Sequence, residues 1–239
     1  MEYINEKPEK KFDIIPILII LALYVVEGIA AAIAAAIVTE NNEMFFSITW
    51  FSSKIVPLVI AIAIYYAHIG KDGKKVTQNF GGFILFSLVA FFVFYLVESG
   101  ISYYGDAIDK WFGVGETTNQ EIINGYFKSS SKVIHYVLLF FTTVILAPFL
   151  EEFEFRKLIF DAFPNTHFIF PVITSSILFG LLHMAEFSLI ELLYLPIYAI
   201  PGFILALIYH YSGKNIFASY LTHSLVNLLS YIVIMSEFA

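Results

Sequence analysis

The chain has 239 residues, enough for one ordinary domain, but 59% are hydrophobic, only 14% are charged, and the mean hydropathy is +0.80. Soluble domains carry about 25% charged residues to cover a solvated surface, so this composition excludes a water-borne globule and requires a lipid-facing exterior. The net charge of −7 is dispersed among loops and segment ends with no basic patch for nucleic acid, and the lack of cysteine excludes disulfides, a thiol nucleophile and thiolate metal sites.

Lys7, Lys10 and Lys11 precede the first apolar run, Ile14–Val38. That run is too long for a signal-peptide core and lacks a convincing cleavage site, so it is expected to be a retained span. Further runs near twenty residues follow at Phe45–Ala67, Phe80–Tyr103, Val133–Phe163, Phe168–Glu186, Leu189–Tyr209 and Asn215–Met235. In lipid each satisfies its own backbone only as a helix. The expected fold is all-α, a polytopic transmembrane helix bundle of about seven spans (six to eight). It forms one membrane domain over 1–239, with a motif-bearing core at 133–235. Tyr104–Ser131 is the one long loop and has room for a short amphipathic helix.

Cation placement predicts orientation. Lysines flank the first span's start and recur at Lys71, Lys74 and Lys75, whereas the loop after the first span holds Glu40 and Glu43 and no cation. This places the N-terminus and the 164–167 and 210–214 turns in the cytoplasm of a multi-pass cell-membrane protein, with the C-terminus outside. No internal repeat of the kind that marks many transporters is visible. The tract "IAAAIAAAIV" suits close helix packing through small residues.

Against this background Ala147–Lys157, "APFLEEFEFRK", is anomalous. A charge at the centre of a membrane helix costs about 2.5–3.5 kcal/mol, so Glu151, Glu152 and Arg156 left unpaired would cost on the order of 8–10 kcal/mol. That rivals the whole stability of a typical domain, about 5–15 kcal/mol. The three must be paired, neutralised or turned to water inside the bundle. Glu152 and Arg156 are i, i+4 and can pair directly; Glu151 is offset by about 100° and faces elsewhere. A helix continuing to Pro164 puts Glu151 roughly 20 Å from that end, which argues against charge merely sitting at the membrane surface. His183, in "FGLLH", lies roughly 24 Å from the same side, and His223, which shares a helix face with Asn227 in "HSLVN", roughly 15 Å. Two Glu, two His, an Arg and an Asn thus fall near one depth on three helices.

Such a set suits hydrolysis by activated water. A Glu takes the proton, a His orients the water, and a His–Asn pair donates to the developing oxyanion. A Zn²⁺ held by His and Glu would perform the same task by acidifying the water. HExxH, GxSG and GxGD signatures are absent from the sequence. Other charges read as structural: Glu27, Lys54 and Glu98 as pairing or snorkelling, and Glu186 and Glu191 as flanking an outer turn.

"EEFEFR", "FGLLH" and "HSLVN" resemble the EExxxR, FxxxH and HxxxN/D motifs of the CPBP family, which comprises CAAX prenyl endopeptidases and bacterial and archaeal Abi proteins. The resemblance covers about 145–230 and includes Pro148 and Phe155. It implies an intramembrane endopeptidase cleaving peptide or membrane-anchored substrates near the cytoplasmic side. Glu151 would activate water with His183, His223 and Asn227 would form the oxyanion hole, and Glu152 with Arg156 would hold the helix. It leaves open a metal reading, in which His183, His223 and Glu151 bind Zn²⁺, beside a metal-free one; the latter is favoured because no HExxH-like pair lies on one helix. Two residues depart from the family pattern, Glu154 and Lys157, and are expected to pair with each other facing a cytoplasmic cavity. CAAX cleavage itself does not follow, since the relatives it resembles act on unprenylated peptides or are linked to bacteriocin immunity and to processing of secreted peptides. The alternative is a non-catalytic membrane scaffold or bacteriocin-immunity protein retaining the motifs, although a scaffold has no physical need for six polar groups at one depth.

Overall fold

The computed structural model describes residues 11–38, 42–113, 115, 117–184 and 188–236. Lys7, Lys10, Glu40 and Glu186 lie outside the described residues. The chain is helical throughout the described part: α1 Ile14–Ile37, α2 Phe45–Gln78, α3 Phe80–Phe112, α4 Thr118–Lys128, α5 Val133–Ala162, α6 Ile169–Leu182, α7 Leu189–Tyr211 and α8 Ile216–Ser236. Six of these (α1, α2, α3, α5, α7 and α8) are long and apolar enough to cross a membrane.

Local chemistry sets the boundaries. Asp13, Asn79, Thr117 and Ser188 each accept a hydrogen bond from a first-turn backbone N–H, which satisfies donors that the helix itself leaves unpaired. Gly113, in the left-handed region at φ 64°, ends α3. α2 and α3 outrun their apolar stretches, running on through Lys71–Lys75 and Ile108–Phe112; Lys75 and Lys110 lie in the last turns, where a cation complements the helix dipole. The predicted fifth span is shorter than expected. α6 has 14 residues, roughly 21 Å against a hydrocarbon core of about 30 Å, so it stops partway through the bundle and leaves His183 at its C-terminus.

Two stretches of α5, Phe141–Leu146 and Phe153–Leu158, widen to π-helical turns. Such turns close i→i+5 bonds and shift the register of everything beyond them. The first has a direct consequence. The Ala147 N–H donates to Thr142 O, and the next candidate donor to Thr143 O is Pro148, which has no N–H. Thr143 O is thereby freed for a side chain.

Contacts between helix ends define two ends of the bundle. At one, Asp13 N donates to Ala162 O, Lys75 Nζ to Gly213 O, and Asn215 Nδ2 to Asp72 O. At the other, Lys132 pairs with Glu43, Thr118 N and Oγ1 donate to Glu191, and Tyr231 donates to Tyr136 O. These are called below the lysine end and the α4 end. The main core sits toward the lysine end. There Phe153, Leu158, Phe160, Ala162, Tyr209 and Ile216 are buried.

Candidate active site

Toward the α4 end the helices enclose a cavity of about 950 Å³. Glu151, His183, His223 and Asn227 all line it, whereas Glu152 and Arg156 are fully buried behind its wall. The six residues singled out in the sequence are therefore brought together.

Glu151 is the hub. Its Oε2 lies 3.9 Å from His183 Nε2 and 3.8 Å from His223 Nε2, and its side chain keeps 20% exposure to the cavity. His183 Nδ1 faces Phe179 O at 2.8 Å. A carbonyl can only accept, so Nδ1 carries the proton and, in the neutral ring, Nε2 presents its lone pair to the cavity. The same ring lies between Phe179, at 4.3 Å between centroids, and Tyr198, stacked at 5.2 Å. Phe179 is thus both the carbonyl and one face of a clamp on His183, which accounts for the FxxxH spacing. Tyr198 is the other face. Its hydroxyl bonds Thr117 Oγ1 at 2.7 Å, at the start of α4.

A second chain runs through the wall. Arg156 Nε pairs with Glu152 Oε2 at 3.1 Å, and His223 Nδ1 donates to Glu152 Oε1 at 3.0 Å. The Arg156 guanidinium also lies over the Phe179 ring at 4.8 Å, a contact worth most where water is excluded. Glu152 and Arg156 have no exposed side-chain surface, so each neutralises a charge that the other could not bury alone. With Nδ1–H held by Glu152, His223 can donate from Nε2 only as the doubly protonated ring. Asn227 Nδ2 donates to Thr143 O at 2.9 Å, the carbonyl freed by the widened turn and Pro148. One amide hydrogen of Asn227 remains for the cavity.

The predicted Glu154–Lys157 pair does not form. Lys157 pairs with Asp161 and Glu154 is 2% exposed. The widened turn between them carries Lys157 away from Glu154, and i+4 places Asp161 within its reach. Glu154 instead hydrogen-bonds Tyr24 and lies near an ion pair between Glu27 and Lys54. All four line the cavity. Glu27 and Lys54 do pair as expected, but their place beside the site was missed, because they are 27 residues apart on different helices and carry no sequence spacing. Tyr198 was missed for the same reason: one tyrosine among fifteen gives no signal until α7 packs on α6.

The zinc reading fits poorly. Zn²⁺ bonds of about 2.0–2.1 Å place neighbouring tetrahedral donors about 3.3 Å apart, closer than the Glu151–His distances found. Among the described residues no three His, Asp or Glu side chains converge as a metal cage.

Residues 133–229 match the family model for Rce1-like type II CAAX prenyl endopeptidases, the family that the three motifs pointed to. The chain is 28% identical over 221 residues to an uncharacterised protein of Mycoplasma capricolum subsp. capricolum, covering 88% of this chain and 62% of that protein. It is 27% identical over 201 residues to YdiL of Bacillus subtilis, provisionally named a membrane peptidase, covering 82% of this chain and 75% of YdiL. The chain thus spans less than two thirds of the mycoplasma relative. No solved structure matches it significantly.

Proposed function

We propose that this multi-pass membrane protein is an intramembrane endopeptidase of the CAAX-protease-like kind, in which Glu151 and His183 activate a water for attack on a peptide carbonyl. The observation that carries this reading is the convergence of two imidazole Nε2 atoms on one carboxylate oxygen, at 3.9 and 3.8 Å from it, at the floor of a large cavity. Glu151 Oε2 and His183 Nε2 are both acceptors. A water about 2.8 Å from each donates one hydrogen to each and points its lone pairs at the cavity.

In the reaction Glu151 takes the water's proton as the C–O bond forms. His223 Nε2–H and the free amide hydrogen of Asn227, both on the cavity lining, donate to the carbonyl oxygen as it gains charge. The proton on Glu151 then passes to the departing amine as the C–N bond breaks. Glu152 and Arg156 act through His223, by holding its Nδ1–H. Tyr198 and Phe179 act through His183, by fixing its ring. The match over 133–229 and the name of the Bacillus relative both support a membrane peptidase.

The test is cleavage of a randomised quenched-fluorescence peptide library by the purified protein, alongside Glu151→Gln, with and without a chelator. Chelator-resistant cleavage that disappears in Glu151→Gln is the expected result. Wild-type activity in Glu151→Gln refutes the mechanism, and the lack of cleavage in every sample favours a non-catalytic scaffold.

A further inference from the structure

The two expectations about sidedness exclude each other. Cation bias puts the lysine end in the cytoplasm, whereas the family resemblance puts the site's opening there. The cavity opens at the α4 end. α2 contributes nothing to its lining beyond Lys54, α3 nothing before Phe94 and α8 nothing before His223. Each of those limits faces the lysine end, and beyond them the packed core leaves Phe160, Tyr209 and Ile216 about 1% exposed. Water and substrate therefore reach Glu151 from the α4 side, past the exposed Asp106 and Asp109 at the mouth.

Which compartment that side faces follows from charge. Of the thirteen Lys and Arg, five described ones flank the lysine end, Lys11, Lys71, Lys74, Lys75 and Lys214, and Lys7 and Lys10 precede in sequence the span that starts there. Three, Lys110, Lys128 and Lys132, flank the α4 end, and the remaining three lie within the bundle. Orientation is set by cations beside the spans as they insert, and it retains the richer side in the cytoplasm. A cavity facing the cytoplasm would require the richer set to be translocated.

We infer that the site opens on the non-cytoplasmic face. Resting on the peptidase reading, its substrate class is then a membrane-anchored or secreted peptide segment presented from outside, cut at or beyond its outer end. A cytoplasmic C-terminal tail is not such a substrate.

The chain has no native cysteine, so single cysteines report cleanly. Asp106→Cys and Glu121→Cys mark the mouth and α4, Thr143→Cys the cavity wall, and Lys74→Cys the lysine end. A membrane-impermeant charged thiosulfonate is applied to intact spheroplasts of a bacterial host, then to permeabilised ones. Labelling of Asp106→Cys, Glu121→Cys and Thr143→Cys in intact spheroplasts, with Lys74→Cys labelled only after permeabilisation, is the expected pattern. The reverse pattern, or labelling of both ends in intact spheroplasts, overturns the orientation, and Thr143→Cys labelling together with Lys74→Cys overturns the opening. Peptide cleavage in right-side-out against inside-out vesicles gives the second readout: cleavage confined to inside-out vesicles overturns the substrate assignment. Cleavage by neither counts against the peptidase reading alone, because labelling needs no activity.

Discussion

Arg156 is the most informative residue to remove. Its side chain has no exposed surface, it sits 3.1 Å from a carboxylate that is equally buried, and its guanidinium covers the Phe179 ring at 4.8 Å. Arg156→Met keeps much of the volume and deletes the charge, so Glu152 is left as a buried anion that has lost its guanidinium and keeps the hydrogen bond from His223 Nδ1. Breaking one side of a buried pair costs about 3–5 kcal/mol. At about 2–4 °C per kcal/mol for a chain of this size, the melting temperature in detergent should fall by about 6–20 °C. Adding Glu152→Gln removes the stranded charge, so the double variant should recover most of the loss, a strong coupling between touching residues. Arg156→Lys should lie between, since an ammonium keeps the charge but does not stack on Phe179 as the planar guanidinium does. The assay is a thermal scan of the four purified proteins in one detergent. If the double variant loses as much as Arg156→Met, or more, then Glu152 is not stranded by the loss of Arg156 and the brace does not exist.

Glu151→Gln should lower cleavage by about 10²–10⁴-fold while leaving the melting temperature within a degree or two, because Glu151 faces the cavity and braces nothing. Asn227→Ala should cost about 10²–10³ in kcat with a smaller change in KM, measured by steady-state kinetics on one identified peptide. Pro148→Ala restores a backbone N–H within reach of Thr143 O and competes with Asn227; kcat should fall about tenfold or more while the melting temperature holds or rises, a split that a merely damaged helix would not give. Gly180→Ala builds a Cβ 2.8 Å from Leu195 Cδ1 and 3.1 Å from Ala199 N. Overpacking of this kind costs about 1–3 kcal/mol, and thermal unfolding should show it.

The site was legible in the sequence because charge in lipid is expensive. Glu151, Glu152 and Arg156 stood out on cost, and His183, His223 and Asn227 on shared depth, and that depth follows from helix rise alone. What supports them was not legible. Tyr198 reaches His183 only because α6 ends early and α7 packs beside it. Lys54 reaches Glu27 across an interface that no spacing encodes. The Glu154–Lys157 pairing failed on a subtler point, since it assumed regular turns where α5 widens. Among the spans, only α6 departs in kind: an apolar run of the right length became a shorter helix that ends at Leu182, with His183 as its C-cap at the site.

The widened turns of α5 have a bearing on how such a site can change. Each one is a slip of phase in an otherwise continuous rod, and the two bracket Ala147–Glu152. The segment between them therefore stands at a different helical phase from the helix on either side. Deleting one residue from 157–158 would tighten that turn and swing Ile159–Ala162 by about 100°, unseating the core beneath while Glu151, Glu152 and Arg156 kept their spacing. The carboxylates and the packed half of the molecule are thus indexed separately along one helix, so that the chemistry and the anchorage of this segment can drift independently by single-residue gains and losses.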